Sequence, residues 1–502
     1  MPRHSFIARM PNRPGALQKA AAVVERGRGN INRLQFDQKI DPETVFFEVT
    51  ADETACRQIE KDLAALGFLQ DSLRPLNILK FCISLPHEPG ALHEFLDYTT
   101  SGKANISAID FDDRGQHPDR VTVTLSLEQS AEAGELLDAL KSRYRIEIIE
   151  YDTTGKSLDH TIFYLRFAQQ IREIVGEPED RFLFKLIGDL NHAAQELMNL
   201  GQDPGTVFES ILQTGRTLRN TSNDGFFADI QVIPVAPDCL LTCIQLPAGG
   251  NVYLFRTAEG CLMVDTGYGI YSRDIRRVME RVVPGCRKDI SQVVITHADA
   301  DHCGAGGDYN VPVLMHPGTQ EIIRAANRAY GSRNEASIIE EIYTSMINLF
   351  SQFHPPVSPR LFPTAFREEI AGFPVIDEIV MSGFRFRVLE GLGGHLYGQI
   401  YLYCTELGLL FTGDTVINFR HLSAERTEYN TLAVNLVTSV NVDSAVAKIE
   451  RQQLLRLAGD TSGHFFNGRI ACLICGGHGP VSTLSDSGLV PYGPIDRIVP
   501  CD

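Results

Sequence analysis

Residues 291–302 read Ser-Gln-Val-Val-Ile-Thr-His-Ala-Asp-Ala-Asp-His, and this stretch decides the fold. Its first half, residues 291–296, is apolar and rich in β-branched side chains, which predicts a buried strand. The small residues 303–307 that follow predict a tight turn into a helix. Because the end of a strand is rigid, we interpret the stretch as a strand that presents metal ligands. The candidate ligands in its second half are His297, Asp299, Asp301 and His302.

Three later hydrophobic runs also end in a His or an Asp beside glycine. His395 follows the strand-like run Phe384–Leu389, Asp414 ends the run 409–414, and His478 ends the run 472–478. Any one of these residues alone is equally well explained as part of a turn. Together with the first cluster they supply four His and three Asp, enough ligands for two metal ions about 3.5 Å apart.

This pattern resembles the metallo-β-lactamase fold superfamily, in which an αββα sandwich carries metal ions at the edge of two sheets. The resemblance covers roughly residues 229–488 and includes the sequence Val-Asp-Thr-Gly at 264–267, which is similar to an early strand-turn signature of the family. It implies that Asp265 is a structural turn residue and that Asp414 bridges two metals. It further implies one metal held by His297, Asp299 and His395, and a second metal held by Asp301, His302 and His478.

Position 299 departs from the pattern of the common hydrolases of this superfamily. Those proteins have His-x-His-x-Asp-His, whereas this chain has Asp299 at the second position. A carboxylate adds negative charge and a hard oxygen ligand, which shifts the preference of a site toward iron or manganese, while imidazole also suits zinc. The change is similar to the flavodiiron proteins and, most closely, to the oxygen-binding diiron proteins. We therefore expect two metal ions, with iron favoured and zinc and manganese as alternatives.

The N-terminal third of the chain contains a repeat. Residues 10–17, Met-Pro-Asn-Arg-Pro-Gly-Ala-Leu, return as residues 85–92, Leu-Pro-His-Glu-Pro-Gly-Ala-Leu, at an offset of 75. Residues 30–37 return as residues 105–112 at the same offset. A shared offset in two separate segments indicates duplicated domains. Each copy predicts a βαββαβ unit of about 75 residues, which buries one sheet face under two helices.

The two copies resemble ACT domains, regulatory modules that commonly bind amino acids near the turn between the first strand and the first helix. A glycine in that turn lets a ligand approach the backbone, and the helix N-terminus offers N–H groups to a carboxylate. Pairs of ACT domains also serve only to dimerise, so we expect amino-acid binding or assembly into a homodimer or higher homo-oligomer. The resemblance implies ligand contacts from Asn12, Arg13, Gly15, Ala16 and Leu17, and from His87, Glu88, Gly90, Ala91 and Leu92.

The length of 502 residues exceeds a single core and suits several domains. We expect a multidomain protein of α/β and α+β class, with two βαββαβ ACT-like domains, a helical linker and an αββα sandwich. Apolar residues at helical spacing indicate that the linker packs in a core or a dimer interface. A helical insert near 319–350 is expected to cover the mouth of the metal site or to join an interface. The expected boundaries are 1–75, 76–152, 153–228 and 229–488, with a tail at 489–502.

Composition excludes several classes of protein. A net charge of −17 is unfavourable for extended binding to nucleic acid, which needs clustered Lys and Arg. We expect no membrane span and no signal peptide, because no apolar run is long enough and the N-terminus passes directly into a strand. Eleven scattered Cys indicate free thiols in the cytoplasm. Burial in a strand explains the C-x-x-C pair Cys472 and Cys475 better than redox chemistry does.

These observations lead to a cytoplasmic dinuclear iron protein that binds or reduces O2 or NO as a sensor or reductase, regulated or assembled through the ACT-like domains. The chain runs 24 residues past His478, so we expect no flavodoxin domain and, for reduction, a separate electron donor. The alternative is a dinuclear zinc hydrolase of a thioester, lactone or phosphoester, in which the metal pair lowers the pKa of a water molecule. In that alternative Asp301 orients or deprotonates the water, and it is the expected catalytic residue.

Overall fold

The computed structural model describes the C-terminal part of the chain nearly completely and the N-terminal part in segments. The chain divides into two compact units, Met1–Ala194 and Gln195–Asp502. In the part of the chain that is described, no helix is both long enough and apolar enough to cross a membrane. The described residues are 3–11, 15–37, 41–68, 77–85, 91–101, 104–110, 120–127, 146–148, short pieces between 139 and 200, and 200–499 apart from 336, 367, 433–439 and 462.

The first repeat in the N-terminal unit folds as an antiparallel sheet with two helices. Its sheet has the order β1-β3-β2. Helices α1 and α2 contribute Val23 and Ile59 to an apolar core that also contains Phe47 of β3. The side chain of Asp52 accepts a hydrogen bond from the Ala55 amide at 2.8 Å and so caps α2. The elements are β1 (Arg3–Arg9), α1 (Ala16–Arg26), β2 (Asn30–Asp37), β3 (Asp41–Thr50) and α2 (Glu53–Ala65).

The second repeat contains β4 (Asn77–Ser84), α3 (Ala91–Ser101), β5 (Ala104–Asp110), β6 (Arg120–Leu127) and β7 (Ile146–Ile148). Its sheet has the order β5-β6-β4-β7. Helices α1 and α3 begin at Ala16 and Ala91, which is the offset of 75 seen in the sequence. The equivalent of β7 in the first repeat falls on residues outside the described ranges.

The described residues of the C-terminal unit form two eight-stranded sheets. The first has the order β14-β13-β12-β11-β10-β9-β8-β23, and its strands from β11 to β14 run parallel. Its strands are β8 (Ala228–Ala236), β9 (Cys239–Gln245), β10 (Asn251–Thr257), β11 (Gly260–Val264), β12 (Ile290–Val294), β13 (Val313–Met315), β14 (Arg360–Leu361) and β23 (Asp496–Ile498).

The strands of the second sheet are neighbours in chain order from β15 to β22. Its neighbours are antiparallel except for β19 and β20, which run parallel because helices intervene between them in the chain. Its strands are β15 (Glu368–Ile370), β16 (Phe373–Met381), β17 (Phe384–Glu390), β18 (Ile400–Cys404), β19 (Leu409–Gly413), β20 (Leu473–Gly476), β21 (Ser482–Ser485) and β22 (Gly488–Pro491).

The inner faces of both sheets share one apolar core, which includes Phe255 of the first sheet and Phe386 of the second, with ring centroids 5.0 Å apart. On the opposite face of the second sheet, Leu454 of α11 packs in a separate core with Tyr401. The helices are α4 (Pro204–Asn220), α5 (Ser272–Val282), α6 (Cys286–Asp289), α7 (Ala300–Cys303), α8 (Pro317–Ala325), α9 (Ile338–Phe350), α10 (Ala424–Leu432) and α11 (Ser444–Asp460).

Side chains that alternate between the two faces of the sheet, from the residue before β20 along the strand, explain the C-x-x-C sequence. Cys475 belongs to the core between the sheets, whereas Cys472 belongs to the core beneath α11. Both are free thiols, and burial raises the pKa of Cys472 to about 12. Their side chains lie on opposite faces of the sheet, which agrees with the prediction of burial.

The C-terminal end of the chain differs from the expected tail. The sequence predicts a tail over 489–502, whereas β22 and β23 extend the two sheets through residues 488–491 and 496–498. In the first sheet, Asp496 lies opposite Ile230 of β8. These strands have four and three residues, too few to show the alternation by which a strand is predicted from sequence.

Two helical predictions also change. Helix α4 comes from the predicted linker 153–228, but it belongs to the C-terminal unit, where it contacts α9 and α10. Its buried face, which includes Phe208 and Ile211, explains why it joins that core. The sequence predicts a turn at residues 303–307 that leads into a helix, whereas the structure has the single helical turn α7 ending at Cys303 and a 3-10 turn at Gly306–Asp308.

Candidate metal centre

Four strand ends bring the seven predicted ligands together. Strand β12 precedes His297, β17 precedes His395, β19 ends immediately before Asp414, and β20 ends two residues before His478. Strands β11 and β12 run parallel, as do β19 and β20, so the carboxyl ends within each pair lie at the same edge. The ligand atoms therefore meet where the edges of the two sheets face each other.

A first group contains His297, Asp299, His395 and Asp414, whose ligand atoms all lie within 4.8 Å of one another. The Oδ2 atom of Asp299 lies 3.2 Å from Nε2 of His395 and 3.8 Å from Nε2 of His297. Both imidazole rings are fully buried. Two ring nitrogens and one carboxylate oxygen thus face a common point.

A second group contains Asp301, His302 and His478 within the same limit of 4.8 Å. The Oδ2 atom of Asp301 lies 3.5 Å from Nε2 of His302 and 3.4 Å from Nε2 of His478. This group repeats the donor types of the first, since it also has two imidazoles and one carboxylate of its own.

Asp414 lies between the two groups. Its Oδ1 atom is 3.2 Å from Nε2 of His302, and its Oδ2 atom is 3.1 Å from Nε2 of His478. The same Oδ2 atom is 3.9 Å from Nε2 of His395 in the first group. The carboxylate is therefore within reach of ligand nitrogens from both groups, which is the position that a bridging ligand needs.

Hydrogen bonds to Nδ1 turn three of the rings so that Nε2 faces the centre. Nδ1 of His302 donates to Oδ2 of Asp265 at 2.9 Å, and Nδ1 of His395 lies 3.1 Å from Oδ1 of Asn441. Nδ1 of His297 lies 2.9 Å from the hydroxyl of Thr296, which itself donates to Asp265 at 2.8 Å. Metal-binding histidines use this arrangement, because a partner at one nitrogen fixes the tautomer that leaves the other free to coordinate.

Several buried polar atoms of the cluster have no hydrogen-bond partner among the described residues. They are Nε2 of His297, Nε2 of His302 and Oδ1 of Asp414. A buried polar atom without a partner is costly and needs an explanation. Two metal ions, one in each ligand group, would satisfy these three atoms, so the donor set fits a dinuclear metal centre.

The electrostatics of the cluster are dominated by burial and by close opposite charges. Burial lowers the pKa of His297 well below its usual value, which keeps the ring neutral. Burial opposes the charged form of His302 as well, but the carboxylates of Asp414, Asp301 and Asp265 together outweigh it and raise the pKa of that ring well above its usual value. Burial alone would raise the pKa of Asp299, but the Arg328 guanidinium together with the rings of His395 and His297 lowers it well below its usual value.

Comparison with known proteins agrees with this architecture. The family profile described as the Metallo-beta-lactamase superfamily matches residues 246–478. These residues form a metallo-beta-lactamase superfamily domain. Domains of this fold typically bind two metal ions, and the two ligand groups lie inside the matched range. No curated protein matches the chain.

Solved structures of proteins described as metallo-beta-lactamases are similar to about half of the chain. The metallo-beta-lactamase from Pontibacter korlensis is 16% identical, with a TM-score of 0.31, over 50% of this chain and 92% of its own. A metallo-beta-lactamase family protein from Thermus thermophilus is 20% identical, with a TM-score of 0.30, over 49% of this chain and 75% of its own. A metallo-beta-lactamase from Erythrobacter litoralis is 17% identical, with a TM-score of 0.30, over 50% of this chain and 90% of its own.

A cavity of about 130 Å³ lies over the ligands of the metallo-beta-lactamase domain, and its floor includes Asp299, Asp301, Asp414 and His478. Its walls include aliphatic side chains of α8 and α9, the helices of the predicted insert. Three tyrosines also line it, Tyr268, Tyr343 and Tyr429, and the hydroxyls of the first and last lie 2.7 Å apart. Since a cavity of about 150 Å³ holds benzene, the space admits a small organic molecule as well as O2.

Sequence reasoning did not identify the residues that support the ligands. Asp265 is more than a turn residue, because its carboxylate accepts from the Thr296 amide at 2.7 Å and from His302. The acidic residue in the Val-Asp-Thr-Gly turn was the sequence feature that could have indicated this role. In the structure its φ is 59°, a backbone conformation that Asp tolerates. Asn441 and Arg328 carry no local signal, since each contacts a ligand that is distant in sequence.

The predicted amino-acid site in the N-terminal unit is only partly described. Gly15 has a φ of 87° and precedes α1, Ala16 is buried, and Leu17 is exposed. In the second repeat, Ala91 and Leu92 begin α3. The remaining predicted contacts lie outside the described residues, and they are Asn12, Arg13, His87, Glu88 and Gly90.

Proposed function

We propose that the metallo-beta-lactamase domain holds a dinuclear non-haem iron centre that binds or reduces O2 or NO. One observation carries this proposal: each ligand group supplies two imidazoles and one carboxylate, with Asp414 between them. Two His and one carboxylate with open positions are the ligand set typical of non-haem iron(II) proteins that react with O2. Asp299 creates this symmetry, because a third His in its place would give the first group an all-imidazole set.

The residues of the chain prepare the centre in distinct ways. Asp265, Thr296 and Asn441 orient the rings, so little reorganisation is needed when iron binds. Aliphatic and tyrosine side chains form the walls of the cavity over the ligands, and the Asp299 side chain remains 20% exposed. Bound iron would supply the electron-transfer chemistry toward O2 or NO. For reduction, electrons would come from a separate donor protein.

The test is metal analysis of the full chain purified without oxygen. We expect two iron ions per chain and an absorption spectrum that changes on addition of air or NO. His302→Gln removes a ligand and should abolish the spectral change. His354→Gln is the matched control, because that half-exposed ring pairs with Asp308 outside the cluster. Protein that contains zinc and shows no response to air or NO would overturn the iron proposal.

A hydrolase is the second candidate, and the cavity favours it. A volume of about 130 Å³ exceeds what O2 alone needs and leaves room for a compact thioester, lactone or phosphoester. A dinuclear zinc centre would lower the pKa of water for attack on such a substrate. Asp301 lies on the cavity floor and would orient or deprotonate that water. Hydrolysis of a model ester by the zinc-loaded chain, lost in Asp301→Asn, would support this candidate over the first.

For the N-terminal unit, we propose two ACT-like modules that bind an amino acid or assemble the chain into a homodimer. The 75-residue offset of α1 and α3 supports the duplication, and the positive φ of Gly15 leaves the backbone of that turn accessible. A ligand that binds only the folded state stabilises it by about 2.7 kcal/mol at a hundredfold excess over Kd. A melting screen of the twenty amino acids tests binding. Gly15→Val should remove any shift, and sedimentation analysis tests the dimer.

A further inference from the structure

Arg328 places a buried guanidinium directly against Asp299. It lies in the segment between α8 and α9 and is 7% exposed. Its Nε donates to Oδ1 of Asp299 and its Nη2 to Oδ2, both at 3.2 Å. This paired geometry fixes the plane of the carboxylate as well as its position, because the guanidinium is a rigid fork.

The same guanidinium also contacts the support of a second ligand. Its Nη2 donates to the carbonyl of Val440 at 2.8 Å. The next residue, Asn441, holds Nδ1 of His395 at 3.1 Å. One side chain therefore contacts Asp299 directly and His395 through a neighbouring residue. Within the described part of the chain, the Arg328 guanidinium forms no hydrogen bond or ion pair with the second ligand group.

The charge of Arg328 compensates for the departure at position 299. Asp299 carries a negative charge where the common pattern has a neutral imidazole. The adjacent guanidinium carries the opposite charge, and the Asp299 carboxylate helps to raise the pKa of Arg328 despite its burial. Asp299 and Arg328 together thus have the same formal charge as the imidazole that they replace. Glu340 lies at the edge of this pair, with Oε2 4.0 Å from Nη1.

We propose that Arg328 is a positioning residue of the metal centre and that Asp299 and Arg328 act as one unit in the first ligand group. The unit fixes the Asp299 carboxylate and, through Val440, the segment that orients His395. This inference rests on the proposed dinuclear centre but not on iron as its metal. The insert between β13 and β14 is then part of the metal site, because it supplies Arg328.

Loss of the guanidinium should weaken metal binding rather than strengthen it. Removing a positive charge favours a cation, but the Asp299 side chain is 20% exposed to the cavity and would rotate into it without its partner. Loss of a group that hydrogen-bonds to a metal ligand typically lowers metal affinity about 10- to 100-fold. We expect a decrease in that range at the first group and little change at the second.

The test is a titration of the metal-free full chain with Zn²⁺ alone. Calorimetry measures the affinity for each ion, and metal analysis measures the number of ions bound. The unmodified chain should bind two ions per chain, and Arg328→Met should bind one of them about 10- to 100-fold more weakly. Arg328→Lys keeps the positive charge but not the paired N–H donors of the guanidinium. Its affinity for this ion should lie between those of the unmodified chain and Arg328→Met. Arg256→Met is the matched control, because it breaks an Arg–Asp ion pair of the same domain with Asp289, away from the cluster.

A rescue experiment tests the pair as a unit. Asp299→His leaves the Arg328 guanidinium without its carboxylate and beside an imidazole, so it should weaken the first ion. Asp299→His combined with Arg328→Met removes the positive charge beside the new imidazole and should bind that ion more tightly than Asp299→His alone. Equal binding by these two variants, or unchanged affinity in both Arg328→Met and Arg328→Lys, would overturn the proposal. If the unmodified chain itself binds fewer than two Zn²⁺, the dinuclear centre is wrong as well.

Discussion

The two ligand groups of the metallo-beta-lactamase domain have the same donor types but different supports. In the second group, His302 is held by Asp265, which directly follows the interior strand β11. In the first group, Asp299 is held by Arg328 from the insert and His395 by Asn441 from the segment before α11. One group is thus supported from a strand end and the other from segments added around the sandwich.

This difference has a consequence for metal binding. Strands β10, β11 and β12 are paired on both sides, so Asp265 is fixed by the sheet itself. Segments outside the sheet open at lower free energy than core strands. We therefore expect the ion of the first group to be the more labile of the two, and the changes below separate the groups.

The largest effect is expected for Asp414→Asn, which alters both groups at once. The carboxylate lies within 3.9 Å of ring nitrogens from both groups, and an amide cannot replace its two anionic oxygens. Both ions should be lost, with affinities reduced by more than about 100-fold, the upper limit for changes that leave every ligand in place. Metal analysis after dialysis measures this. Retention of one ion would show that Asp414 serves a single group.

Gly477→Ala should reduce metal binding nearly as much, because the added methyl group would overlap the ligands sterically. A Cβ atom at this position would lie 1.9 Å from Oδ1 of Asp414 and 2.9 Å from Cε1 of His302. The backbone of Gly477 lies outside the left-handed region, so only the lack of room opposes the change. We expect loss of the second ion and weakening of the first. Gly459→Ala, whose Cβ would have one neighbour at 3.8 Å, is the control and should bind both ions.

Asp265→Asn should affect the second group more than the first. The amide leaves His302 without its carboxylate, and the affinity of the second ion should fall about 10- to 100-fold. Stability should fall by about 2 kcal/mol, because buried hydrogen bonds to a charged group are lost. Thr296→Val is the contrasting variant, since it removes the contact to His297 and should weaken mainly the first ion. If both variants weakened the same ion, the division into two groups would be wrong.

The smallest effect is expected for Asn441→Ala. It removes the 3.1 Å hydrogen bond to His395, but the backbone of Val442 still donates to the carbonyl of His395 at 3.0 Å. The first ion should therefore weaken by about 10-fold, the low end for such partners. The rate at which a chelator removes the first ion gives a sensitive measurement. A change confined to the second ion would contradict the assignment of His395 to the first group.

The sequence by itself determined the ligand types and their places at strand ends. An apolar run followed by His or Asp is a local sequence signal. A buried strand requires apolar residues, and the turn that follows it favours glycine. This is why β12, β17, β19 and β20 and the family of the domain were predicted from residues alone. The offset of the repeat was visible for the same reason, since α1 and α3 begin at matching positions.

Only the tertiary structure decided which side chains support those ligands and how the ends of the domain fold. Arg328 meets Asp299 across 29 residues and Val440 across 112, and no local pattern marks such contacts. The short strand β23 exists because β8 offers it a partner, not because its residues alternate. Ligand identity is set by the chemistry of each residue, whereas orientation, charge balance and free space are set by neighbours that meet only when the sheets pack together.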